Sequence, residues 1–212
     1  DALPIYRELI TALAWKNIVV RYKQAYLGIF WAVLKPLLLM LIFTLVRSLV
    51  GIDSGSIPYP ILTFAALLPW VFFQESASEG VNSITSNAAL IKKIYFPREV
   101  FPLTATVTKL IELAISFCIL AGLMAYYQMM PTIYALWVPA IIFYTMTVAL
   151  TISFFGAALN VYFRDIAQAL PVALSLAMYL SPVIYPLSLV QKKLLTDQAA
   201  GVYSDLFYDL YL

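Results

Sequence analysis

Two opposite charges, Lys109 and Glu112, stand three residues apart inside an otherwise apolar run of the chain. On an α-helix this spacing places both side chains on one face, where they can form an ion pair. A charge inside a membrane span is costly and is often functional, but Lys109 lies only about two turns into its run. The residues leave two interpretations open: structural pairing or snorkelling, and a functional site within the membrane.

A second lysine, Lys35, precedes Pro36 in the first apolar run and allows the same two interpretations. Its functional interpretation is a contact with a headgroup or lipid phosphate. The sequence has no histidine, so it offers no imidazole base, no Ser-His triad and no His-ligated metal. Cys118 is the single cysteine, which excludes an intrachain disulfide.

The composition indicates whether the chain lies in water or in a membrane. Of the 212 residues, 63% are hydrophobic and 11% are charged, whereas a soluble domain averages about 25% charged residues. The apolar residues occur in runs of roughly twenty, the length that crosses a hydrocarbon core of about 30 Å. The chain is therefore predicted to be an integral membrane protein. No basic, aromatic-interleaved surface suggests nucleic-acid binding.

Five runs are predicted to span the membrane as helices, which makes the fold an all-α, polytopic transmembrane bundle. These runs are residues 28–50, 59–73, 102–127, 131–160 and 166–185. Residues 1–27 predict an amphipathic helix lying along the membrane interface. The transmembrane domain is predicted to cover residues 28–190. Residues 191–212 are expected to form an extracytoplasmic segment leading to a sixth span that this chain does not include.

A second amphipathic helix is predicted at residues 78–96, between the second and third spans. Its apolar stripe repeats at steps of three and four residues, from Val81 and Ile84 to Ile91. Its other face is polar, and Pro97 ends it. Basic residues indicate the orientation: the N-terminal segment, residues 75–98 and the 160–165 turn hold four, three and one of the thirteen. The positive-inside rule places these segments, and the N-terminus, in the cytoplasm.

Several local sequences resemble those of one family, the membrane subunits of type-two ABC exporters for polysaccharides such as O-antigens and teichoic acids. They begin with RYK, LGIFW and KPL at residues 21–23, 27–31 and 35–37, and continue with LLPWVFF at 67–73. The longest is NAALIKKIYFPREVFP at 87–102, followed by Arg164-Asp165 and by SPVIYP at 181–186. The resemblance covers nearly the whole chain to Val190.

This resemblance implies a permease subunit that exports a lipid-linked polysaccharide across the cytoplasmic membrane of a bacterium. Two copies would form a homodimer around a channel, and two separate cytoplasmic subunits would bind ATP and Mg²⁺. The sequence agrees, because it contains no G-x-x-x-x-G-K-[ST] phosphate loop. The chain is therefore expected to be no enzyme and to need no cofactor of its own.

Aromatic residues near the span ends are candidates for the substrate channel. An interfacial belt with packing is the alternative explanation, but sugar rings also stack on aromatic planes, and a sliding polymer needs many weak contacts. The candidates are Phe30, Trp31, Trp70, Phe72, Phe73, Tyr179 and Tyr185.

The resemblance also makes the helix at 78–96 the element that couples the permease to its ATPase, although it could be only an interfacial anchor. The candidate coupling residues are polar: Glu79, Asn82, Ser83, Ser86, Asn87 and Lys93. Basic residues are candidates for the cytoplasmic opening of the substrate route: Arg21, Lys23, Lys35 and Arg98.

Two other classes of protein compete with the exporter. An ion channel or secondary transporter would need no ATPase, but such proteins usually carry charged or polar groups near the middle of their spans, or internal repeats with broken helices. Neither pattern is convincing in this sequence. A membrane-embedded glycosyltransferase would need clustered carboxylates at the membrane surface, and the carboxylates of this sequence are scattered. The exporter is the preferred prediction.

Overall fold

The structure of the chain, a computed structural model, describes residues 10–15, 19, 30–50, 57–93, 97–181, 183 and 195. For residues 31, 32, 47–50 and 93 it describes the backbone alone. Of the predicted N-terminal amphipathic helix, residues 10–15 are helical, with Ala14 buried and Trp15 exposed. The rest of that helix and nearly all of the predicted segment 191–212 lie outside the described residues.

All regular elements of the described residues are helical, which confirms the all-α prediction. They are α1 (Phe30–Val50), α2 (Tyr59–Ser86), α3 (Ala88–Lys93), α4 (Val100–Tyr126), a 3-10 helix (Ile133–Trp137), α5 (Val138–Tyr162) and α6 (Asp165–Leu180). Helices α2 and α5 each carry proline in the first turn, where its missing N–H is not needed. Each of the five predicted spans overlaps one of the helices α1, α2, α4, α5 and α6.

Three helical stretches of the described residues are long and apolar enough to cross a membrane. They are Tyr59–Lys92, Val100–Tyr126 and Ile133–Tyr162. Two shorter apolar helices, Val33–Val46 and Asp165–Leu180, accompany them. Large apolar side chains are exposed on α1, on α5 and on the 3-10 helix, for example Leu45 and Phe143. Such surfaces suit contact with lipid or with a neighbouring membrane subunit.

Helix α2 is longer than its sequence indicated. The second span was predicted to end near Phe73 or slightly beyond and a separate amphipathic helix to follow it, but one helix continues through Ser86. The predicted break between them was wrong, because Glu75 and Glu79 pair with Lys109 on α4 and the helix continues past them. At 28 residues the helix is about 42 Å long, so it extends beyond a hydrocarbon core of about 30 Å. Asn87 then separates it from the short α3.

Helix α2 also lies at the centre of the bundle, in contact with α1, α3, α4, α5 and α6. Its apolar side chains form a core with those of α1, α4 and α6. The buried members of this core are Val33, Met40, Phe64, Leu67, Leu68, Phe72, Leu113 and Met178. The central position of α2 means that its polar C-terminal half is packed between neighbours, which sets the geometry of the sites described below.

Small residues bring α2 and α5 into close contact. A Cβ atom at Gly80 would overlap the Ser153 side chain, and one at Gly156 would overlap Val81. The buried Asn160 donates from Nδ2 to the Val81 carbonyl at 3.1 Å and to the Thr85 hydroxyl at 3.3 Å. Small side chains and interhelical hydrogen bonds are the usual means of helix association in lipid. This interface holds the C-terminal half of α2 firmly against α5.

Candidate functional site

Five charged residues from three helices meet inside the bundle and form what we call the charge cluster: Lys35 of α1, Glu75 and Glu79 of α2, and Lys109 and Glu112 of α4. Lys109 is its centre. Its Nζ atom lies 2.9 Å from Glu75 Oε2, 3.0 Å from Glu79 Oε1 and 2.8 Å from Glu112 Oε2. The Lys109 side chain is 5% exposed. The predicted pairing of Lys109 with Glu112 is thus confirmed.

Glu75 connects the two lysines of the charge cluster. Its Oε1 atom accepts a hydrogen bond from Lys35 at 3.0 Å, while its Oε2 atom accepts one from Lys109 at 2.9 Å. The two lysines differ in their surroundings, because the Lys35 side chain is 49% exposed. The cluster therefore has a buried centre at Lys109 and an accessible edge at Lys35.

Two of the cluster residues lie at similar distances from the ends of their helices, as expected for residues at one depth in the bundle. Lys109 lies nine residues after the start of α4, and Glu79 lies seven residues before the end of α2. At 1.5 Å per residue these offsets are about 14 and 11 Å. A small cavity beside the cluster is lined by Pro36, Phe72, Ser116 and the cluster residues Glu75, Lys109 and Glu112. Among the described residues, no three side chains are grouped to hold a metal ion.

A larger opening lies where α2, α3, α5 and α6 end or begin, and we call it the basic cleft. It has a volume of about 770 Å³. Three of its lining residues are basic, namely Lys92, Arg98 and Arg164, and within the described ranges none of them makes an ion pair. The other lining residues include Asn82, Ile84, Thr85, Ser86, Ile91, Asn160 and Gln168. An unpaired basic surface of this kind suits an acidic partner.

A third opening, which we call the aromatic pocket, lies between α2 and α5. Trp70, Phe73 and Tyr144 line it together with apolar residues, and its volume is about 310 Å³. The rings of Trp70 and Phe73 pack edge to face, with centroids 5.8 Å apart. The Trp70 Nε1 atom is buried and finds no acceptor among the described residues. The pocket offers aromatic faces, as a sugar site would.

The residues proposed for a channel fall into different environments. Trp70 and Phe73 share the aromatic pocket, and Phe30 and Tyr179 are exposed at 44% and 55%. The prediction that Phe72 lines the channel is wrong. Phe72 is 4% exposed and packs in the core, where its ring cannot line a channel. The Trp31 side chain and Tyr185 lie outside the described residues.

The residues proposed for ATPase coupling are also divided. Asn82 and Ser86 line the basic cleft. Glu79 instead pairs with Lys109, with its side chain 32% exposed, and the buried Ser83 donates to the Gly80 carbonyl at 2.6 Å. Asn87 donates to the Ser83 carbonyl at 2.8 Å. The expectation of one polar face that remains available to a partner is therefore wrong for Ser83, while the Glu79 carboxylate is held by Lys109. The Lys93 side chain lies outside the described part.

Of the basic residues proposed for the cytoplasmic opening, Lys35 belongs to the charge cluster and Arg98 to the basic cleft. Arg21 and Lys23 lie outside the described residues. Sequence reasoning missed Glu75, which joins the two lysines, and Arg164 and Tyr144 as lining residues. One signal could have found Glu75: it lies four residues before Glu79, so both carboxylates share a helix face opposite a lysine in another span.

Similarity to known proteins covers nearly the whole chain. Residues 8–196 match the family described as ABC-2 type transporter. The chain is 33% identical over 187 residues to the O-antigen export system permease protein RfbA of Myxococcus xanthus, covering 88% of this chain and 71% of that protein. It is 29% identical over 188 residues to RfbA of Klebsiella pneumoniae, covering 88% and 72%. It is 27% identical over 175 residues to the capsule polysaccharide export inner-membrane protein CtrC of Neisseria meningitidis serogroup B, covering 79% and 61%.

Proposed function

Because this chain belongs to the ABC-2 type transporter family, we propose that it is the permease subunit of an ATP-driven exporter. Its cargo is a lipid-linked polysaccharide of the O-antigen class. The observation that carries this proposal is the extent of the similarity: the permeases named for O-antigen export match 88% of the chain. A capsule polysaccharide export protein matches it as well. These relatives favour an exporter over an ion channel or a secondary transporter.

The proposed location is the cytoplasmic membrane of a bacterium, with the N-terminus in the cytoplasm. The basic cleft supports this orientation. Lys92, Arg98 and Arg164 lie together at the end of the bundle where α2 ends and α4 and α6 begin. Basic residues concentrate on the cytoplasmic side of membrane proteins. Lys35 of α1 contacts Glu75 in the C-terminal half of α2, which supports a cytoplasmic N-terminal segment.

The proposed partner at this end is a separate subunit that binds ATP and Mg²⁺. The α2–α3 turn and the basic cleft form its docking surface, with Ser86, Lys92 and Arg164 as the contacting residues. Two features support this assignment. Most of the residues that line the cleft are polar or charged, whereas the exposed surfaces of α1 and α5 are apolar. Its three basic side chains make no ion pair within the described residues, and positive charge steers an acidic surface toward them.

The substrate route is proposed to pass between two copies of the chain. A homodimer provides the room that a polymer needs and buries part of the exposed apolar surface. The aromatic pocket supports a carbohydrate cargo, because Trp70, Phe73 and Tyr144 offer ring faces against which sugars can stack. Weak, replaceable contacts of this kind hold a sliding chain without trapping it.

Export can be tested by deleting the gene in its host. Without the permease, the lipid-linked polysaccharide should accumulate in the cytoplasmic leaflet. Surface polysaccharide, detected with antibody on intact cells, should fall to background, while the total extracted from lysed cells remains. A plasmid copy of the wild-type gene should restore the surface signal. If surface polysaccharide is undiminished in the deletion strain, the chain exports something else.

A further inference from the structure

The Lys35–Glu75 ion pair differs from the other contacts of the charge cluster. Both lysines donate to Glu75 at about the same distance, 3.0 Å for Lys35 and 2.9 Å for Lys109. Lys109 has two further carboxylate partners and is buried, whereas within the described residues Lys35 has Glu75 alone and its side chain is half exposed. Lys35 is thus the one lysine of this cluster that an incoming group can reach.

After this ion pair opens, both charges would still be compensated. Glu75 would keep its hydrogen bond to Lys109 through Oε2, so no carboxylate would be left unpaired in a low-dielectric interior. Lys35 would regain water, or bind another anion, through its exposed side. An exposed ion pair contributes little net stability because water and salt compete with it. The pair can therefore open without disturbing the buried part of the cluster.

The backbone at Lys35 also favours opening of the Lys35–Glu75 ion pair. Pro36 lies inside α1 and has no N–H to donate to the carbonyl of residue 32, which weakens the helix at this point. Pro36 itself is buried and lines the small cavity with Glu75 and Lys109. The Lys35 side chain therefore leaves the helix beside a proline that adjoins the charge cluster.

We propose that Lys35 is the residue that recognises a phosphoryl group, and that it does so by exchanging Glu75 for phosphate oxygens. This inference rests on the proposed function, because a lipid-linked polysaccharide carries its phosphate where the lipid joins the sugar. The lysine ammonium is a compact point charge with three donors and suits a phosphate. Its side chain is 49% exposed, so a group that approaches from outside the charge cluster can contact it.

The exchange predicts opposite effects for its two members. We would measure binding of a polyprenyl diphosphate to the purified protein in nanodiscs of neutral lipid. Lys35→Gln should weaken binding about tenfold, and Lys35→Arg should keep it near the wild-type value. Glu75→Gln should strengthen binding several-fold, because it removes the competing anion. A residue with a merely structural role would not strengthen binding when its partner is neutralised.

Glu112→Gln is the matched control, since it removes the same charge from the cluster without touching Lys35. It should leave the affinity unchanged. Wild-type affinity in Lys35→Gln, or equal effects of Glu75→Gln and Glu112→Gln, would overturn the proposal. If Glu75→Gln does not fold, as judged by gel filtration, the comparison of Lys35→Gln with Lys35→Arg decides alone.

Two further probes identify the source of the phosphoryl group. Phosphatidylglycerol in the nanodisc and soluble inorganic diphosphate should each be tested for competition. Competition with the polyprenyl diphosphate, either by inorganic diphosphate only or by phosphatidylglycerol, supports recognition of phosphate. Which of the two competes identifies the carrier of the phosphate. If none of the three probes binds in a manner that depends on Lys35, the proposal fails. The readout is independent of export, so the export experiment can fail while this one succeeds.

Discussion

The Glu112 carboxylate accepts a hydrogen bond of 2.8 Å from the Lys109 ammonium one helical turn before it, and both side chains are buried. Glu75 and Glu79 complete the environment of this lysine from α2. Lys109 therefore compensates three carboxylates at once, and its removal would leave them facing one another.

Replacing Lys109 with Met should destabilise the protein by about 3–5 kcal/mol, the usual result of removing one member of a buried ion pair. Lys35→Met is the control, because the Lys35 pair is exposed and should cost about 0–1 kcal/mol. Thermal unfolding in detergent measures both variants. Equal and small losses of stability would show that the charges of the cluster are solvated.

The close contact of α2 with α5 gives a second prediction. Gly80→Ala places a methyl group against the Ser153 hydroxyl and should cost about 1–3 kcal/mol. Gly122→Ala is the matched control, because no atom lies within 4 Å of its new methyl group. In the control, alanine should raise stability by up to about 1 kcal/mol through its higher helix propensity. Adding Ser153→Gly to Gly80→Ala should recover part of the loss, which a double-mutant cycle would measure.

Docking of the ATPase gives a third prediction. Arg164→Glu reverses a charge in the basic cleft and should weaken co-purification of the ATPase at least tenfold, while Arg164→Lys should preserve it. Both variants should insert and purify normally, because Arg164 is exposed between α5 and α6. Undiminished co-purification with Arg164→Glu would exclude this residue from the docking surface.

Glu79→Lys was expected from the sequence to act on the ATPase contact, and the structure changes that expectation. Glu79 lies 3.0 Å from Lys109, so the substitution would place two ammonium groups side by side. The main effect should be loss of folded protein, measured as a lower yield of monodisperse material in gel filtration. Ser86→Trp in the basic cleft should instead spare folding and reduce ATPase binding. A Glu79→Lys variant that folds normally would show that folding does not depend on the Glu79–Lys109 ion pair.

The aromatic residues allow a fifth prediction, in which a core residue and a pocket residue have different effects. Phe72→Ala empties part of the core and should cost about 3 kcal/mol of stability. Tyr144→Ala leaves the core intact, since the tyrosine is 71% exposed, and should slow export with normal stability. Antibody detection of surface polysaccharide separates the two outcomes. Normal export with Tyr144→Ala would assign the aromatic pocket to contact with lipid.

The sequence predicted the helices well because a membrane span needs only a long apolar run, which is a local property. The Lys109–Glu112 pair could be predicted for the same reason, since both residues lie within one turn. The contact of Lys109 with Glu75 joins positions 34 residues apart, so the spacing that puts Glu75 and Glu79 on one helix face does not identify the lysine that meets them. That contact also explains why the predicted break after the second span was wrong: the two carboxylates pair with a lysine from another helix.

The basic cleft was predicted only in part. Asn82, Ser86 and Arg98 were proposed from the sequence, although for two different roles, and the structure places all three in one opening. Arg164 comes from the distant turn between α5 and α6, so its place beside them depends on how α2 packs on α5. Small residues such as Gly80 and Ser153 determine that packing, and in a sequence they give no clear sign of a contact.

The connection of Glu75 to two lysines has a consequence for how the chain enters the membrane during synthesis. Glu75 is made 34 residues before Lys109, a delay of roughly 2 to 7 s at ordinary rates of translation. During that interval the final buried partner of the carboxylate does not yet exist. Lys35, on the preceding helix, is already present and can neutralise it, so the pair that is weakest in the finished bundle would serve as a provisional partner while the bundle is assembled.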